Sequence, residues 1–149
     1  MKKMILDDAA AKSFFREFEK QEITRVWRSV GTAIFIELGN LSSTKKNHLK
    51  GEMSLSVEWS WRIEGKNSIL GGSFSEDDEI SKTLNLLKGR RIIFIEYFSR
   101  LKEILVHLEG EIWLASFATE QGNPQWKAKN KAGEWLFVRK GKYIVEKNT

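Results

Sequence analysis

From Ser54 to Gly65 the chain reads SLSVEWSWRIEG, and its side chains alternate in kind without a break. Leu55, Val57, Trp59, Trp61 and Ile63 fall on one side; Ser54, Ser56, Glu58, Ser60, Arg62 and Glu64 fall on the other. A period of two belongs to a strand with one face buried and one in water. Left exposed, the first set would line up large apolar groups against solvent, a patch that marks a binding site or an aggregation hazard. The pattern predicts one strand over 53–63 with both tryptophans in the core.

The rest of the chain supports a single domain over residues 1–149, because 149 residues is an ordinary domain length with no Pro/Gly/Ser-rich linker to divide it. Charged residues make up 30% and hydrophobic ones 41%, a folded rather than disordered balance. Cysteine is absent, which excludes a disulfide framework and a thiol nucleophile and fits a reducing compartment. The opening MKKMILDDAAAK has too short an apolar stretch for a secretory signal. The best apolar run, Ile92 to Ile95, is far short of a membrane span. A soluble cytoplasmic protein with no membrane partner is the expectation.

Two helices are legible. DDAAAKSFFREFEKQE places Ala11, Phe14, Phe15 and Phe18 on one face, with Asp7 or Asp8 as the cap. SEDDEISKTLNLLKG opens with Ser75 and Asp78 at capping-box spacing and buries Ile80, Leu84 and Leu87. The acidic run Glu76 to Glu79 suits the helix dipole without a metal. TRVWRSV and TAIFIELG read as paired strands, NLSSTKKNHLKG as a surface loop, and RRIIFIEYF as a central strand. Gly71 and Gly72 mark a bulge or a close backbone approach. KEILVHLEGEIWLASFA and GEWLFVRKGKYIVEK read as hairpins turning at Gly110 and Gly141, separated by a long polar connection, TEQGNPQWKAKNKAG. The predicted class is α+β: a curved, mainly antiparallel sheet or partial barrel of about eight strands with two helices.

No catalytic signature stands out. The two histidines, His48 in a loop and His107 in a strand, cannot supply a zinc site. His107 reads as a surface or partly buried strand residue, or as a base if a cleft supplies partners. Glu37, Glu58, Glu96 and Glu109 lie on strand-like runs, and sequence favours no pair of them as a catalytic couple. Phosphate loops are absent. No cofactor and no metal are expected.

The net charge of +5 is concentrated at the end: from Lys127 onward seven basic residues stand against two acidic ones. Trp126, Lys127, Lys129 and Lys131 form the candidate partner-binding set. A tryptophan among alternating lysines suits single-stranded nucleic acid, through stacking and phosphate neutralisation. It equally suits a protein-binding anchor, or an indole folded back over the edge of the sheet.

In chain order GTAIFIELGN, a polar loop, LSVEWSWRIEG, ILGGSFSEDDE, LLKGRRI and GEWLFVRKGKYIVE resemble a family of small bacterial proteins without an assigned activity. The matching positions are Gly39, Trp61-Arg62-Ile63 and Trp135, over most of the chain beyond the first helix. Ser60 stands where relatives often carry proline. Some similar proteins look like immunity proteins, which neutralise a partner toxin by binding it. The resemblance implies a non-catalytic binding role and transfers no catalytic residue. Arg62 reads as structural, paired with Glu64 or Glu37. The expected partner is a protein, with a toxin as the case the resemblance implies. Nucleic acid, or a small ligand inside the curved sheet, is the alternative.

Overall fold

The computed structural model describes residues 2–29, 31–44, 46–120 and 122–147. The chain begins with β1 (Lys2–Leu6) and α1 (Asp8–Arg16), then β2 (Ile23–Arg28) and β3 (Ile34–Leu38). A small hairpin, β4 (Ser42–Ser43) and β5 (Leu49–Lys50), leads to β6 (Met53–Val57), β7 (Trp61–Glu64) and β8 (Ile69–Gly72). After α2 (Asp77–Asn85) come β9 (Ile92–Phe98), β10 (Glu103–Leu108) and β11 (Ile112–Ser116). The last three strands are β12 (Trp126–Lys129), β13 (Glu134–Arg139) and β14 (Lys142–Lys147).

Among the described residues all ladders are antiparallel, in a seven-stranded sheet ordered β1-β14-β13-β12-β6-β3-β2, a five-stranded sheet ordered β8-β7-β11-β10-β9 and the separate β4-β5 pair. Neither of the two large sheets closes into a barrel. The two are tied at one side, where Glu22 bridges Arg91 and the amide of Lys20 donates to the Ile92 carbonyl at 2.7 Å. Both expected hairpins form. At the second, Lys140 and Gly141 have φ 51° and 74°, the double left-handed geometry of a two-residue turn matched to strand twist.

One apolar core is filled by Ile34, Ile36, Leu55, Trp61, Ile63, Val106 and Leu114 from the strands and by Phe15 and Phe18 from the first helix and its end. Asp7 caps α1 by accepting from the Ala10 amide at 2.8 Å. The Phe15 ring centroid lies 5.2 Å from that of Tyr97 and 5.6 Å from that of Trp126. Tyr97 donates its hydroxyl to the Ala11 carbonyl at 2.7 Å. Burial, and then neighbouring Tyr143, push the Tyr97 phenol far above its ordinary pKa. Tyr143 is raised by burial and by the Asp8 carboxylate.

Several expectations are corrected. Among the described residues fourteen strands replace about eight, because a bend divides the 53–63 run and because three segments were not read as strands. Those segments are the first residues, the polar loop holding β4 and β5, and the polar connection, whose Trp126–Lys129 stretch lies inside the larger sheet between β13 and β6. The single strand over 53–63 is cut at Glu58–Ser60, and its halves join different sheets. Trp61 is 1% exposed, whereas Trp59, at the crossing between sheets, is 54% exposed. The crossing is held by Glu58 N donating to the Gln125 carbonyl and by Thr32 Oγ1 donating to the Trp59 carbonyl. β9 is an edge strand, not a central one, so Ile93 and Phe94 remain exposed. Ser75 does not cap α2; its Oγ accepts from the Gly72 amide at 3.1 Å, and Glu76 takes the cap position with no side-chain bond.

Candidate binding face

Strand alternation sorts the larger sheet into two faces. Inward go Ile34, Ile36 and Leu38 of β3, Met53, Leu55 and Val57 of β6, and Trp126 and Ala128 of β12. The register then places two rows on the outward face. The first runs Trp27, Phe35, Ser56, Lys127, Phe137, Ile144, Ile5; the second runs Arg25, Glu37, Ser54, Lys129, Trp135, Glu146, Lys3. Each row crosses all seven strands.

The rings and cations on this face interleave. Lys127 Nζ lies 5.6 Å from the Phe137 ring centre and Lys129 Nζ 5.8 Å from that of Trp135. The Arg139 guanidinium is 5.2 Å from the Phe137 ring centre and that of Arg25 is 5.4 Å from a Trp27 ring centre. Each such contact is worth about 0.5–1 kcal/mol at an exposed site. The aliphatic stems also cover apolar surface while the charged heads face water. Phe137 is consequently buried although it stands outside the core cluster.

Between these rings lies a cavity of about 230 Å³, lined by Trp27, Phe35, Glu37, His48, Ser54 and Trp135 among others. Trp27 and Phe35 stack at 4.1 Å and 14°. The β4–β5 hairpin brings His48 edge-on to Trp27, 4.5 Å between centres. Glu37, buried beneath, accepts from Trp27 Nε1 at 3.0 Å and from the Gly51 amide at 3.1 Å. Gly51 is required there: a Cβ would come within 2.4 Å of the Leu38 carbonyl oxygen.

Of the four residues singled out by sequence, the sheet separates the first from the rest. Trp126 is 2% exposed, packs on Phe15 and Tyr97, and donates Nε1 to the Lys102 carbonyl at 3.0 Å. It cannot stack on a base or anchor a partner at the surface. Lys127 and Lys129 share the outward face, while Lys131, beyond β12, is exposed and gives its amide to Glu17 Oε1 at 3.0 Å. Sequence reasoning missed Trp27, Phe35 and Trp135 as members of the face. Their alternation with inward residues was visible, but their meeting depends on register between distant strands.

The other chemical candidates are dispersed. Trp113 Nε1 donates to His107 Nδ1 at 2.9 Å, so the ring proton is assigned to Nε2, 3.3 Å from Glu96 Oε1 but not aligned for a hydrogen bond. Phe94 stacks on that imidazole at 3.9 Å. Glu109 accepts from the Arg91 amide at 2.8 Å, and Arg62 pairs with Glu64 at 2.7 Å. Among the described residues no group of three or more His, Asp or Glu side chains gathers to hold a metal. A larger cleft of about 660 Å³ opens beside Lys102, Glu103, Pro124 and Arg139. Its buried carboxylate, Glu103, is committed to Ser116 Oγ at 2.8 Å and to the Ala118 amide.

Comparison with protein-family models, with curated proteins and with solved structures finds no match to this chain.

Proposed function

We propose that this is a non-catalytic bacterial binding protein of the immunity-protein type, which engages an acidic protein partner through the outward face of its larger sheet. The observation that carries the reading is the pair of cross-strand rows in which Lys127, Lys129 and Arg25 each lie over an aromatic ring, with Arg139 beside them over Phe137. Flat aromatic surface with a cationic rim offers buried apolar area and charge selection together, the two terms that a protein interface uses for affinity and for partner choice. Acidic side chains on the partner would replace water around the ammonium groups without displacing them from the rings.

Nucleic acid is the weaker reading, since Trp126, its stacking ring, lies in the core and Trp27 already stacks on Phe35. Ligand binding between the sheets is weaker still, because Trp61, Phe15 and Trp126 fill that space.

The test is affinity capture from native cells with the unmodified protein and with the Lys127→Glu/Lys129→Glu variant. An acidic protein retained by the first, lost by the second and rebound by the unmodified protein after purification supports the reading. Retention by both, or binding of single-stranded oligonucleotide that falls steeply with salt, overturns it.

A further inference from the structure

Glu37 is 2% exposed on the outward side of β3 and lacks the counter-ion that its position provides. Arg25 stands directly opposite on β2, the neighbour placed to neutralise it. Its guanidinium turns instead over Trp27 and gives Nη1 to His48 Nε2 at 3.2 Å and to the Leu49 carbonyl at 2.9 Å. Among the described residues the Glu37 carboxylate accepts only from two neutral donors, the Trp27 indole and the Gly51 amide, and no ion pair reaches it. A carboxylate withdrawn from water without a cation is costly, and each of its oxygens has acceptor capacity beyond the one bond it holds. The cavity of about 230 Å³ beside it is walled by Trp27, Phe35 and Trp135.

We propose that this cavity binds an organic cation, an ammonium or guanidinium group, held by Glu37 between aromatic walls. The ring faces attract positive charge, most strongly where water is excluded. A hard metal ion needs several oxygen ligands and finds a single carboxylate here. Two sources carry the same chemistry: a free amine, or a lysine or arginine side chain of a bound protein. The inference goes beyond the acidic-partner reading and stands on the cavity alone. Lys50 lines the cavity and Lys129 lies over its Trp135 wall, and both ammonium groups oppose a cation's approach. Salt screens that repulsion, whereas contact inside the pocket is screened less. Added salt therefore leaves the affinity unchanged or raises it, the opposite of what an acidic partner shows.

The experiment follows the indole N–H of Trp27 and the amide of Gly51, the two protons on Glu37, by ¹H–¹⁵N NMR. The probes are n-butylammonium, Nα-acetyl-lysine methylamide and, as the neutral control, n-butanol. Both cations are expected to shift the two signals saturably with millimolar affinity, the scale so small a ligand reaches, and the alcohol is not. Glu37→Gln is expected to weaken binding about tenfold or more, given loss of the charged contact. Trp135→Leu, which touches neither hydrogen bond, weakens it severalfold and decides the matter if Glu37→Gln does not fold. Binding of the lysine derivative alone assigns the site to a partner's side chain, and binding of the free amine alone assigns it to a small molecule. No saturable shift with either cation, an equal shift with butanol, or affinity unchanged in the variants overturns the proposal.

Discussion

Trp126 and Lys127 are adjacent in sequence and sit on opposite faces of one strand, so equal-looking substitutions there have unequal consequences. Trp126→Phe leaves the Lys102 carbonyl without its donor and is expected to cost about 1–3 kcal/mol. Chemical denaturation should show a lower midpoint with an unchanged slope. Lys127→Glu and Lys129→Glu should each cost only about 0.5–1 kcal/mol, the worth of the cation–ring contact removed, while removing partner binding. The same one-residue logic separates Trp61 from Trp59. Alternation marks both as apolar, but only Trp61 reaches a donor–acceptor fit inside the fold, giving Nε1 to the Thr32 carbonyl at 2.7 Å. Sequence shows which side chains share a face within a strand. It does not show where the strand stops.

Helices and hairpins were the elements best legible, since caps, turns and apolar spacing are local. The phenylalanine stripe of α1 docks as expected, and Phe15→Ala should cost about 3–5 kcal/mol because the ring it deletes contacts Tyr97 and Trp126. Thermal unfolding would report it directly, and a loss under about 1 kcal/mol would mean that α1 is not seated on the core. The glycine pair also read correctly as a bulge or close approach. The β7–β8 register shifts there, and a Cβ on Gly71 would sit 2.3 Å from Thr83 Oγ1 of α2. Gly71→Ala is therefore expected to destabilise by about 1–3 kcal/mol, with Thr83→Ala in the same chain recovering part of the loss. The elements read least well were β12 and the 53–63 run. The first is too polar on its outward side to stand out as a strand, and the second is continuous in pattern although it is broken in space.

At the scale of the whole molecule, the basic end of the sequence becomes one half of a sheet face rather than a tail. Lys127, Lys129 and Arg139 share that face with Arg25 and Lys3, at its two edges, because β12 and β13 lie between strands from the beginning of the chain. The interior has its own global signature in Tyr97 and Tyr143, whose phenols are held neutral chiefly by burial. Both pKa values are raised in the folded protein, so this contribution is fully present below the unfolded value of 10.0. It is lost as pH rises beyond that point, where the unfolded chain releases protons that the fold retains. Their share of the thermal midpoint should be constant up to about pH 10 and fall beyond it, and Tyr97→Phe should reduce that alkaline slope. An equal slope in the variant would show that Tyr97 is not the group responsible.

The α+β class, the two helices, the hairpins at Gly110 and Gly141 and the alternation along each strand are legible in the order of residues. All of these follow from contacts within a few residues. That one run of alternation serves two sheets, that Trp126 turns inward, and that Trp27, Phe35, Glu37 and Trp135 line one cavity emerge only when the chain is packed. Those outcomes depend on strand order and register across the sheet, set by packing between segments far apart in the chain, where no local period carries the information.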